Sequence, residues 1–192
     1  MDEVEWILGF HGTTSKKASD ILTEGFSPSE GEGEWLGKGA YFFEDAPRLA
    51  FFYARKKYGP EADVAVIQSK IRLEPGYIMN LLSTRWNAVL DFAYRDVKKA
   101  FISLGWSLPD EGGDRENDHF LDCIVVNRAC TILKEEADIN IKGVRAPFDD
   151  PHPIYDGSHL KMYSHVQIAV RDESLIREPK LIEVPDRVAV PH

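Results

Sequence analysis

Apolar and polar positions along the chain switch repeatedly between a two-residue period and a helical one, which predicts interleaved strands and helices. Residues 5–11 form an apolar run and predict a strand. Thr14 and Ser15 then stand where helix caps belong, Ala18, Ile21 and Leu22 recur at helical spacing, and Gly25 ends the helix. Residues 27–34 (SPSEGEGE) predict a flexible acidic loop, and Gly39 to Phe43 a short strand. A helix from Ala46 to Tyr58 follows, opened by Asp45 and Pro47 and closed by Gly59-Pro60. Alternation returns from Asp63 to Leu73, and Glu74-Pro75-Gly76 turns the chain.

Leu82, Trp86, Val89, Leu90, Ala93, Val97, Phe101 and Leu104 draw a continuous apolar stripe, which predicts one long amphipathic helix over 81–104. The polar stretch PDEGGDREND (109–118) separates it from a second helix, His119 to Leu133, with Leu121, Ile124, Val125 and Ile132 on one face. Strands are expected at 139–146, at 160–172 and near residue 182. In 160–172, Leu160, Met162, Val166, Ile168 and Val170 fall on one side, and Tyr163, His165, Gln167 and Arg171 on the other. Mixed strands with helices segregated around them predict an α+β fold. One domain over residues 1–192, with a helical insertion at about 81–134, accounts for the pattern.

Composition narrows the class. A chain of 192 residues, 43% hydrophobic and 29% charged, reads as an ordinary globular domain large enough for a substantial core. It contains no apolar run of membrane-spanning length. Its first residues, MDEVEW, lack the basic-then-apolar pattern of a signal peptide, so a cytoplasmic location is expected. Cys123 and Cys130 have no Cys-x-x-Cys spacing and read as reduced core residues. The net charge of −9 argues against nonspecific binding to phosphate backbones, although Arg55, Lys56 and Lys57, and then Arg95, Lys98 and Lys99, form basic clusters on helices. Such clusters are either solvated faces or a nucleic-acid rim.

The candidate chemistry lies between Trp6 and Lys57. WILGFHGTTSKKASDILTEGFSPS is followed by WLGKGAYFFEDAPRLAFFYARK. Taken singly, a histidine at a strand end is often a polar residue satisfied by a turn, and a tyrosine among phenylalanines is more often core than ligand. In this order, with a helix between, they resemble the nicotinamide-gripping half of the poly(ADP-ribose) polymerase-like ADP-ribosyltransferases. In that family a strand ends in His-Gly-Ser/Thr and a later strand carries Gly-x-Tyr-Phe. The resemblance implies an ADP-ribosyltransferase fold with a split, mixed or antiparallel sheet and peripheral helices, and NAD as substrate. It places His11, Gly12 and Thr13 of the first motif, and Tyr41, Ala50 and Tyr53 of the second, at the dinucleotide. His11 would hydrogen-bond the adenosine ribose, and the backbone at Gly12 would approach the carboxamide. Tyr41 and Tyr53 would present aromatic faces to the cationic ring. A serine usually one turn before the second tyrosine is replaced by Ala50, which removes one hydrogen bond to the carboxamide.

The third position of the family's His-Tyr-Glu triad falls on Gln167, in Gln167-Ile-Ala-Val-Arg-Asp172. The resemblance therefore implies a His11, Tyr41, Gln167 site. A glutamine can hold a ribose hydroxyl but cannot take a proton, and it supports an oxocarbenium-like centre less than a carboxylate does. Single transfers are expected, not polymers. The stretch before it, PFDDPHPIYDGSH (147–159), offers Asp149, Asp150, Tyr155, Asp156 and His159 for acceptor contact, or reads as a plain surface loop. Asp149, Asp150, His152 and His159 match no standard zinc or calcium spacing, so no metal is expected.

The expected function is an NAD-dependent mono-ADP-ribosyltransferase acting on a macromolecular acceptor, protein or RNA. The compact layout resembles a bacterial toxin or effector, whose activity an inhibitory partner or antitoxin protein would restrain. A noncatalytic NAD- or ADP-ribose-binding module is the alternative, favoured by Gln167 and Ala50. The related NAD-dependent RNA 2′-phosphotransferases are more remote, because no matching phosphate-binding arginines are found.

Overall fold

The computed structural model describes residues 4–29, 31, 34–109 and 119–184. The expected polar loop therefore lies outside the described residues from 110 to 118, as do the first three residues, much of the acidic loop and the tail after residue 184. Among the described residues, the chain forms seven strands and four α-helices. In order they are β1 (Glu5–Thr14), α1 (Ser15–Glu24), β2 (Ala40–Glu44), α2 (Pro47–Tyr58), β3 (Val64–Leu73), β4 (Ile78–Asn80), α3 (Asn87–Ser103), α4 (Phe120–Ala137), β5 (Gly143–Phe148), β6 (His165–Val170) and β7 (Ile176–Ile182). The fold is α+β, built on one mixed sheet of order β4-β5-β6-β2-β1-β3-β7. The β4–β5 pair is parallel and the other pairs are antiparallel.

That sheet is continuous but very unevenly joined. β1 pairs with β3 along its whole length, from Glu5 opposite Leu73 to Thr14 opposite Val64. With β2 it shares only Gly9 opposite Glu44 and Phe10 opposite Phe43. Two well-paired stretches of one sheet thus meet at a short seam, the β1–β2 pairing.

Each face buries its own core. One face packs Ile7, Phe42, Ile67, Ile71, Ile168 and Val170 against Ala18 of α1 and Phe26. On the other, Phe10, Phe43 and Val66 meet Ala50 of α2, while Met79, Val144, Ala146 and Ala169 meet α3 and α4. The α3–α4 pair, expected as an insertion, is thus one wall of a main core. On the α1 face, Arg145 of β5 forms a paired hydrogen bond to Glu44 of β2, both at 2.6 Å, reaching across β6. A bidentate guanidinium–carboxylate pair this enclosed ties three strands together.

Several boundaries differ from expectation. β1 runs on to Thr14, whose hydroxyl caps α1 by accepting from the Lys17 amide. β4 is an unexpected strand just before the expected long helix, formed as Ile78 and Met79 pair beside β5, and residues 81–83 make a turn where that helix was to begin. A short 3-10 turn at Thr84–Trp86 follows, before α3 begins. The strand expected over 160–172 exists only as β6, since residues 160–164 form bends with no strand partner beyond a single bridge at Lys161. Asp45 does not cap α2. It takes a left-handed turn (φ 49°) and its amide donates to the Leu8 carbonyl, leaving Ala46 as an N-cap without a side-chain bond.

The seat of α2 is the tightest contact bearing on the site. A Cβ at Gly12 would lie 2.6 Å from the Ala50 carbonyl carbon and still closer to its oxygen. Only glycine lets the helix backbone approach β1 so closely. Gly12→Ala should therefore destabilise the fold by about 1–3 kcal/mol or more through overpacking. A fall in the urea midpoint with an unchanged slope would show it; an unchanged midpoint would mean that α2 is not seated there.

Candidate active site

Strand alternation sends Tyr41 and Gln167 to the face that carries α2, α3 and α4, where Tyr41 pairs with Ala169 and Phe43 with Gln167. His11 follows Phe10 and points to the opposite face. There it meets Phe26 edge-on at 5.5 Å and Phe42 at 5.8 Å between ring centres. One contact joins the two sides of the seam: His11 Nδ1 lies 2.8 Å from the Tyr41 carbonyl oxygen. A carbonyl can only accept, so Nδ1 carries the proton and Nε2 keeps its lone pair. Burial, helped by the charges of Lys57 and Lys17, holds the His11 pKa below the ordinary 6.5 against the pull of that carbonyl. The ring is neutral at neutral pH. Among the described residues, the strand pairing of β1 with β2 stops at Phe10, so His11, Gly12 and Thr13 have no strand partner on the β2 side.

Tyr41 is more than a ring face. Its hydroxyl donates to the Gly37 carbonyl at 2.8 Å and accepts from the buried Leu36 amide at 2.9 Å. Burial first, then the neighbouring Glu34 charge, pushes the phenol pKa well up, so it stays protonated. The hydroxyl fastens the turn at 34–37 to β2.

Two of the expected cofactor residues have structural work instead. Ala50 is fully enclosed, and its backbone carbonyl, with the Ala54 side chain, is what lies against Gly12. The Thr13 side chain is likewise buried. It approaches the Tyr58 phenol, whose pKa burial alone would raise. Thr13, Lys57 and Lys17 together hold it below the ordinary tyrosine value. Tyr53 is 48% exposed, with its ring 5.7 Å from Phe43 and the Lys57 ammonium 5.7 Å from its own centre.

Gln167 sits in a hydrogen-bond relay. Its Oε1 accepts from Trp35 Nε1 at 3.1 Å, and its Nε2 lies 2.7 Å from His165 Nε2. His165 Nδ1 is bonded to the Tyr163 carbonyl, so it carries the proton, and Nε2 is free to accept from the glutamine amide. Every donor in the relay then faces an acceptor, and the amide has one permitted orientation. The His165 ring stacks between Phe43 and Phe148, each at 4.9 Å. Burial lowers its pKa, opposed by the Tyr163 carbonyl and the Asp150 charge. Trp35, Phe148 and the His165 role were not singled out from the sequence. Only the shared strand face of His165 and Gln167 pointed toward them.

In the preceding loop, Asp150 is buried and its carboxylate accepts from the His152 amide at 2.8 Å. Asp149 accepts from Ser164, while Tyr155, Asp156 and His159 are exposed. Among the described residues no group of three His, Cys, Asp or Glu side chains could hold a metal ion, and no helix is long and apolar enough to cross a membrane.

An uncharacterized protein of Methanocaldococcus jannaschii is similar to this chain, 27% identical over 99 residues. The match covers 50% of this chain, which thus spans about half (46%) of that relative's length. No family model matches the chain, and no solved structure matches it significantly. The chemistry of the site rests on its own geometry.

The relay yields a prediction with a definite sign. A carboxylate at 167 has no donor to offer, so Gln167→Glu should raise the His165 pKa by favouring the doubly protonated ring. NMR titration of the ring protons measures it; an unmoved pKa would mean the pair is not bonded. In the native chain, His11 and His165 both have lowered pKa values. Below pH 6.5 the unfolded chain binds more protons than the folded one. Their contribution to stability should be complete above that pH and be lost as pH falls through it.

Proposed function

We propose that the protein is an NAD-dependent mono-ADP-ribosyltransferase. The observation that carries this reading is the seam. Among the described residues, the His-Gly-Thr end of β1 has no strand partner on the β2 side, and the Tyr41 carbonyl holds the His11 ring. An extended dinucleotide running along that edge would meet Tyr41 and Gln167 on one face and His11 on the other. Neutral His11, with Nε2 as acceptor, suits a ribose hydroxyl. The unpaired backbone beside Gly12 suits a carboxamide, and Tyr41 with half-exposed Tyr53 offers rings to a flat cation.

In the transfer, the bond from ribose C1′ to the nicotinamide nitrogen breaks and its electron pair neutralises the pyridinium. The acceptor's oxygen or nitrogen bonds to C1′ and loses its proton to solvent or to a neighbouring base. Gln167 keeps one lone pair on Oε1 after accepting from Trp35, enough to orient the 2′-hydroxyl. Carrying no charge, it gives modest support to the developing cation, which fits single transfer. The exposed Tyr155, Asp156 and His159 border the strand that carries Gln167 and suit a macromolecular acceptor.

One observation favours a second reading, a noncatalytic NAD or ADP-ribose binder: both ends of the Gln167 amide are already engaged by protein groups. Nicotinamide release from NAD by the purified chain separates the two readings. Gln167→Ala should lower release about a hundredfold or more. Tyr41→Phe keeps the ring but orphans the buried Leu36 amide, so it should lose about 1–3 kcal/mol of stability while retaining turnover. Tyr41→Ala should lose both. Release unchanged in Tyr41→Ala and Gln167→Ala would remove this site from the reaction, and binding without any release would leave the noncatalytic module.

A further inference from the structure

The outward side of α2 is unlike the rest of the surface. Residues 46–60 contain Arg48, Arg55, Lys56 and Lys57 and no aspartate or glutamate, in a chain whose net charge is −9. On α3 the contrast is plain, because Arg95 pairs with Asp91, and Asp96 pairs with Arg128 of α4. Among the described residues no carboxylate forms a salt bridge with Lys56 or Lys57. Ala50 and Ala54 face the sheet, so helical spacing puts Arg48, Phe52 and Lys56 in one outward row, with Tyr53 on its flank and exposed Lys57 below it toward the sheet side. Phe52 is 49% exposed and Tyr53 48%. The Arg48 guanidinium lies 5.7 Å from the Phe52 ring centre.

Two half-bare aromatic rings framed by cations are costly on a free surface and well suited to one class of partner. From Tyr53 a run of ring contacts leads inward: to Phe43 at 5.7 Å, His165 at 4.9 Å, Phe148 at 4.9 Å and Trp35 at 5.6 Å. Its last members flank Gln167.

We propose that the outward face of α2 binds single-stranded nucleic acid and leads it along the ring contacts toward Gln167. Phosphates meet Lys56 and, at the helix's lower flank, Lys57, while unpaired bases stack on Phe52 and Tyr53, a combination that tolerates any base sequence. An acidic peptide would satisfy the cations but leave both rings without a flat partner, and a duplex hides its base faces. The assignment of nucleic acid as acceptor rests on the transferase reading; the binding surface does not.

The test uses the full chain without NAD and follows fluorescence anisotropy of labelled single-stranded RNA and DNA oligonucleotides, with duplex and polyglutamate as competitors. Single strands should bind and weaken with salt, and neither competitor should displace them efficiently. Phe52→Ala should weaken binding on the order of ten- to a hundredfold. Lys56→Gln should reduce the log–log salt slope by about 0.7, one phosphate contact. Equal displacement by polyglutamate would make the face an acidic-protein site, and unchanged binding by Phe52→Ala would remove the stacking; either overturns the inference. With NAD added, wild type should label the oligonucleotide, and the variant combining Phe52→Ala with Lys56→Gln should not, while releasing nicotinamide at the wild-type rate. Single strands that bind without NAD consumption leave the surface standing and end the transferase reading. NAD consumption without binding of single strands ends this inference alone.

Discussion

Between β1 and β2 only Gly9 and Phe10 find strand partners, and the site follows from how that short seam is closed. Past Phe10 the backbones part, and the His11 ring carries the next connection, to the Tyr41 carbonyl. A carbonyl acceptor selects one tautomer of His11, and burial keeps that ring neutral. A side chain therefore does what a ladder hydrogen bond does elsewhere in the sheet.

The two sides of the seam are stiffened in different ways. On one side, Gly12 lets α2 lie against β1 at backbone distance. On the other, the Tyr41 hydroxyl pins the turn at 34–37, and that turn delivers Trp35 to Gln167. The Arg145–Glu44 pair on the far face holds β5, β6 and β2 in register beneath. Sequence neighbours thus serve unlike ends. His11 bonds across the seam, Gly12 seats a helix, and the Thr13 side chain is buried structure.

Gln167 shows why hydrogen-bond polarity decides what a position accepts. Trp35 can only donate, and His165, fixed by the Tyr163 carbonyl, can only accept. The residue between them needs one group of each kind, which an amide has and a carboxylate lacks. The glutamine is consistent with its surroundings, whatever chemistry it takes part in.

Local pattern determined much of this protein. The period of apolar residues located α1, α2, β3 and both long helices, and alternation put His165 and Gln167 on one strand face. The glycine-and-aromatic motifs marked the two strands that border the seam. What the sequence could not determine was contact between distant segments. β4 was hidden because a three-residue strand has no period of its own and forms by pairing with β5. The strand expected over 160–172 shrank because alternation alone does not supply a partner beyond His165. Trp35 lies 132 residues from Gln167, and only the folded sheet brings them together. Ala50, which by motif belongs to the ligand, is enclosed because α2 packs it against Phe10, Phe43 and Val66. Periodicity records which way a side chain points, and tertiary packing alone decides what it meets there.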